Sequence, residues 1–83
     1  MSAFAMVPIV PVQCWVARTA LGWSERRLAR AAGVSTGVVR DFERAGSVRA
    51  TSVAAIQHAL ENAGVVFIDA NDGGPGARLR KAD

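Results

Sequence analysis

Hydrophobic positions recur at helical spacing in four blocks and then at strand spacing. The first block predicts a helix from about Pro11 to Leu21, with Pro11 in its first turn and Gly22 after its end. Cys14, Ala17 and Leu21 form its i, i+3, i+7 stripe, and Trp15 lies off it, placed for exposure or a partner. The second block, Glu25 to Ala32, aligns Leu28, Ala29 and Ala32 on one face. The third runs from Ser35 to about Ala45 and turns Val39 and Phe42 the same way. Ser47 to Ala50 reads as a linker. Thr51 or Ser52 caps a fourth helix to about Ala63, with Val53, Ile56, Leu60 and Ala63 as its stripe and Gly64 as its stop. Val65-Val66-Phe67-Ile68 is apolar on both faces, as a buried strand is. Ala70 to Gly76 is a turn, and Ala77 to Lys81 alternates like a half-exposed strand. The predicted fold is mainly α, four helices with a C-terminal β-hairpin.

Punctuation is densest between Ser24 and Gly46. Ser24 and Ser35 are N-cap residues, and Gly33 suits a left-handed helix end. Gly46 is expected to end the third helix. Two short helices joined by a tight glycine-containing turn make a helix-turn-helix. Opposite Val39 and Phe42, the third helix carries Gly37, Arg40, Asp41 and Arg44. That face is too polar for a core, and it begins at a helix N-terminus, which attracts phosphate.

The stretch from about Val12 to Ala63 resembles the Xre/Cro-like helix-turn-helix regulators of bacteria and phage. The matching residues are Arg18, Gly22, Trp23, Ser24, Leu28, Ala29, Gly33, Val34, Ser35, Val39, Phe42 and Glu43. The resemblance implies a phage-repressor-like domain whose recognition helix, here Ser35 to Arg44, lies in the major groove. It also implies that Arg18 pairs with Glu43, tying the first helix to the recognition helix. Two solvated charges are the alternative. This chain departs from the pattern in three places. Glu25 stands where the family usually has Gln, which sets an anion against DNA phosphate. Thr36 and Gly37 replace longer polar residues. Ala45 occupies the position of a usual glycine, with Gly46 following.

Length and charge narrow the picture. Eighty-three residues make one domain, which buries only about 60% of its unfolded surface. The chain divides into an N-terminal extension (1–10), a DNA-binding domain (11–64) and the hairpin (65–83). Net charge is +3, a mild bias toward a polyanion. Six arginines, Arg26, Arg27, Arg30, Arg40, Arg44 and Arg49, fall between Ser24 and Ala50, offset by Glu25, Asp41 and Glu43. A charge run is usually a solvated face, but its coincidence with the two helices favours DNA. The lone Cys14 excludes a disulfide framework or zinc set within one chain and fits a reduced, cytoplasmic setting as a small buried hydrophobe. His58 reads as a structural or solvated residue.

Met1 to Val12 is apolar but lacks the basic start of a signal peptide, is broken by Pro8 and Pro11, and is too short to span a membrane. The favoured reading is a frayed terminus, and the other is an arm or added strand packing on a partner; Phe4, Val7 and Ile9 are costly to leave in water. GGPG lacks the following Lys-Ser/Thr and helix of a phosphate loop, and so reads as a turn. No paired carboxylates, Cys/His cluster or Ser/His/Asp set points to catalysis, a metal or a cofactor.

The expectation is a non-enzymatic, sequence-specific regulator that binds double-stranded operator DNA as a homodimer. Helix termini, Ser35 among them, and Arg26, Arg27, Arg44 and Arg49 would contact phosphates. Thr36, Gly37, Val38, Arg40 and Asp41 would meet base edges: Arg40 a guanine, Val38 a thymine methyl, Asp41 a cytosine. An arginine partner for Asp41 is an equal alternative. Val65, Val66, Phe67, Ile68 and Leu79 would form the dimer interface, because a lone hairpin with apolar faces and free edges invites pairing. The rival is a protein-interaction module on the same fold, such as an antitoxin or antiactivator.

Overall fold

The computed structural model describes residues 7–69 and 74–80. The elements run α1 (Pro11–Leu21), α2 (Glu25–Ala32), α3 (Thr36–Glu43), α4 (Ala50–Asn62), β1 (Val65–Ile68) and β2 (Gly76–Leu79). Phe4, Lys81 and most of the Ala70–Gly76 turn lie outside the described residues.

Local chemistry sets most of the boundaries. The Ser24 hydroxyl accepts a hydrogen bond from the Arg27 amide (3.0 Å), and the Ser35 hydroxyl accepts one from the Val38 amide (3.2 Å). Each satisfies an amide that the first helical turn leaves without a partner. Gly22 and Gly33 take left-handed φ values of 70° and 73° and close α1 and α2.

The end of α3 is different. The helix stops at Glu43, short of the expected Ala45, and Gly46 is not the left-handed residue. Ala45 is, at φ 62°, the only non-glycine with positive φ among the described residues. The Gly46 amide then reaches back to the Asp41 carbonyl at 2.7 Å. A Cβ on Gly46 would stand 3.0 Å from that oxygen. The glycine is used for close approach, and alanine carries the strained dihedral.

α4 also starts earlier than its hydroxyl residues suggest. Arg49 is the N-cap, makes no side-chain cap bond, and Ala50 is already helical. Alanine is the best helix former, so a missing side-chain cap, costing about 1 kcal/mol, does not delay the start. At the other end the Arg80 guanidinium donates to the Glu61 carbonyl (3.0 Å), placing a cation on the C-terminus of α4.

Leu28, Val39, Ile56, Leu60 and Cys14 are fully buried where the four helices meet, with Ala17, Ala29, Phe42 and Ala59 around them. The small Ala29 faces this core from α2. The strands pair antiparallel, with Val65 opposite Leu79 and Ile68 opposite Gly76. Opposed residues share a face. Val65 enters the core, and Phe67 and Ala77 pack half-buried against it. Ile68 and Leu79 stay 44% and 45% exposed, so β1 is not buried along its length, and β2 begins at Gly76 instead of Ala77. The hairpin lies across α1 through β2 and α4 through β1.

Two buried glutamines fasten what hydrophobic patterning leaves loose. Gln57 on α4 accepts from the Ile9 amide (3.1 Å) and donates to the Val7 carbonyl (3.1 Å). Ile9 is thereby buried, and residues 7–9 are anchored, not frayed. Gln13 accepts from the Val10 amide (2.9 Å) at the start of α1. Its Nε2 donates to the Ile68 and Gly76 carbonyls (3.0 and 3.1 Å), the facing ends of both strands. Among the described residues no helix is long and apolar enough to cross a membrane.

Candidate nucleic-acid interface

The turn Gly33-Val34-Ser35 sets α3 against α2, with Leu28 and Ala29 meeting Val39 and Phe42 beneath. The periodicity that buries Val39 and Phe42 turns Gly37, Arg40, Asp41 and Arg44 outward, and all four are exposed. Thr36 is half-buried at the start of the same helix. Arg26, Arg27 and Arg30 are exposed on α2, and Arg49 is exposed at the entrance to α4.

These residues are not equally available. Val38 is half-buried and packs against the core, so only part of its side chain faces out. The Ser35 oxygen is occupied by the Val38 amide, which leaves its hydroxyl hydrogen to donate outward. The Arg27 guanidinium lies 5.0 Å from the centroid of the half-buried Trp23 ring, a cation–π arrangement that steadies it. Asp41 has no ion-pair partner among the described residues. Arg40 has one: its Nε donates to Glu25 Oε1 at 3.3 Å, across the mouth between α2 and α3. Ser24, Glu25, Arg26, Thr36 and Arg40 line a shallow polar cleft there.

Behind this face sits a buried polar cluster. Arg18 on α1 grips Glu43 at the end of α3 with two 2.8 Å bonds, Nε to Oε2 and Nη2 to Oε1. Its Nη1 donates to the Trp23 carbonyl at 3.0 Å, so one guanidinium joins α1, the approach to α2 and the end of α3. The two side chains are only 16% and 7% exposed. The hydrogen bonds to Glu43 raise the Arg18 pKa above its ordinary value. The Cys14 thiol also donates to Glu43 Oε2, at 3.3 Å. Burial, and then that carboxylate, push the Cys14 pKa up, so the thiol stays protonated and unreactive. Together these contacts fix the direction in which α3 presents its polar face.

The residues expected at a dimer interface divide. Val65 is spent on the chain's own core, and Val66 and Phe67 are half-buried. Only Ile68 and Leu79 are well exposed. Sequence reasoning missed Gln13, Gln57 and the Glu25–Arg40 contact. All three involve partners far apart in the chain, and the glutamines are polar residues within apolar stretches.

Among the described residues, no group of three or more His, Cys, Asp and Glu side chains is placed to hold a metal ion. The His58 side chain is 62% exposed, 3.9 Å from Glu61. No protein-family model and no curated protein matches the chain.

Proposed function

We propose that the chain is a sequence-specific DNA-binding regulator of the Xre/Cro-like helix-turn-helix type, with α3 as the recognition helix in the major groove. The supporting observation is the outward face of Gly37, Arg40, Asp41 and Arg44, flanked by Arg26, Arg27 and Arg49 and carried on a helix tied to α1 by Arg18 and Glu43. Phosphates take Arg26, Arg27, Arg44, Arg49 and the Ser35 hydroxyl. Base edges take Arg40 and Asp41, with Thr36 and part of Val38 beside them and Gly37 leaving room for the duplex.

A second copy docks through the hairpin. Ile68 and Val66, on the face turned away from the core, carry the contact with the free strand edges, while Leu79 lies on the other face beside Val65 and Phe67. The two-fold places two α3 helices on half-sites about 34 Å apart.

Selection from a pool of random DNA duplexes tests the reading. It is expected to enrich a two-fold-symmetric motif, with affinity falling steeply as salt rises. Arg40→Ala is expected to lose about 1–3 kcal/mol of discrimination at one base pair. Arg26→Ala and Arg49→Ala weaken all sequences alike and reduce the salt slope by about one each. Ile68→Asp is expected to yield a folded monomer in sedimentation. The exposed Val12 and Trp15 on α1 favour a second reading, a protein-interaction module on the same fold. Absence of any enriched motif with the fold intact would turn the assignment that way.

A further inference from the structure

We propose that Glu25 is a specificity-determining residue that sharpens base reading by Arg40 while weakening the grip on the DNA backbone. The inference rests on the DNA-binding reading of α3. Glu25 is the first residue of α2, and Arg40 lies in the second half of α3, fifteen positions away. Their side chains meet through a single bond, Arg40 Nε to Glu25 Oε1, and are 46% and 29% exposed.

The identity of the bonded atom matters. A guanidinium has five N–H groups in a rigid fork. With Nε–H held by Glu25, the two Nη nitrogens remain, side by side and in one plane. That pair matches the O6 and N7 acceptors of guanine. A free arginine must give up several rotatable bonds to reach this pose at the moment of binding. Here the carboxylate imposes part of that order beforehand, and that part of the cost is removed from the binding step. Gly37, one turn before Arg40 on the same exposed face, has no side chain to bar a base pair from the fork.

The same carboxylate has an opposite effect on phosphate. The cleft it lines, with Ser24, Arg26, Thr36 and Arg40, carries two cations and two hydroxyls near the starts of both helices. Without Glu25 it would attract the DNA backbone whatever the sequence. A negative charge there repels phosphate and neutralises Arg40 as a general backbone contact. One residue therefore raises discrimination and lowers non-specific affinity, in the manner of a repulsive specificity element.

The test uses the full chain and three duplexes: the sequence enriched from the random pool, its variant with the guanine read by Arg40 replaced, and a scrambled sequence. Glu25→Gln is expected to bind the scrambled duplex on the order of threefold more tightly. Glu25→Ala, which removes the acceptor as well as the charge, is expected to lose roughly threefold or more of the discrimination between the first two duplexes. In an Arg40→Ala background, Glu25→Gln should still tighten scrambled binding but leave discrimination unchanged. A purely structural role would shift all three affinities together, and that result overturns the inference. So does unchanged or improved discrimination in Glu25→Ala. A wild-type protein that enriches no motif overturns the DNA reading and this inference with it. A wild-type motif read equally well by Glu25→Ala overturns this inference alone.

Discussion

α1 carries two fastenings five residues apart, and they work by different physics. Arg18 reaches α3 with a full charge, gripping a carboxylate 7% exposed. Gln13 reaches the hairpin with a neutral amide, itself 5% exposed, and satisfies three backbone groups at once. Both are specific, but they fail differently. Removing one partner of a largely buried ion pair leaves a charge that water reaches poorly. Removing an amide strands only neutral backbone groups, and at the end of a two-stranded sheet water is near. The face we assign to DNA hangs on the charged fastening, and the surface we assign to dimerisation on the neutral one.

Glu43→Ala attacks the charged side and should have the largest effect, about 3 kcal/mol of stability in urea unfolding, because Arg18 loses both bonds to the carboxylate and keeps only the Trp23 carbonyl. Replacing both partners, Arg18→Met with Glu43→Leu, should recover most of it, since no orphan charge remains. Gln13→Ala attacks the neutral side and should cost less, about 1–3 kcal/mol. Hydrogen exchange in this variant should quicken in the hairpin and at Val10 while the α2–α3 pair stays protected. Equal losses from Glu43→Ala and Gln13→Ala would erase the distinction between the two fastenings.

Alkaline titration sharpens the comparison from the charged side. The Cys14 pKa is raised in the folded chain above the ordinary value of 9.0, chiefly by burial. Above about pH 9 the unfolded chain releases the thiol proton and the folded chain keeps it, so stability should fall with rising pH. The slope approaches about 1.4 kcal/mol per pH unit once the unfolded thiol is fully ionised. Cys14→Ala should flatten that slope, whatever its own effect on stability at neutral pH. The smallest effect belongs to the other ion pair. Glu25 and Arg40 meet in water, and a double-mutant cycle between them should give no more than about 1 kcal/mol of coupling. A coupling as large as that of Arg18 with Glu43 would mean that burial is not what separates the two pairs.

What the sequence made legible follows from the range of each interaction. Ser24, Gly33 and Ser35 act within a turn of themselves, and their caps and left-handed end are where local chemistry puts them. Leu28, Val39, Phe42, Ile56 and Leu60 follow from periodicity alone. Gln57 does not, because its partners lie 48 and 50 positions away and a glutamine beside Ile56 reads as the edge of a stripe. The early start of α4 was hidden because Thr51 and Ser52 advertise a cap that Ala50 does not need. At the candidate interface, periodicity placed the exposed face of α3. It gave no sign that Arg40 is held by Glu25, since a pair joined across two helices leaves no periodic trace.

The corner after α3 constrains how this chain can change over time. Ala45 bears a dihedral suited to glycine, and a methyl group at Gly46 would crowd the Asp41 carbonyl. The neighbours are therefore not interchangeable, and mutational traffic through them is biased. A lineage can step from Ala-Gly to Gly-Gly and relieve the backbone. A step to Ala-Ala sets a methyl group 3.0 Å from the Asp41 carbonyl oxygen, which must give way slightly to admit it. Descendants of this sequence should vary at the first position and hold glycine at the second. An ancestor with the two residues in the opposite order would have needed a different corner.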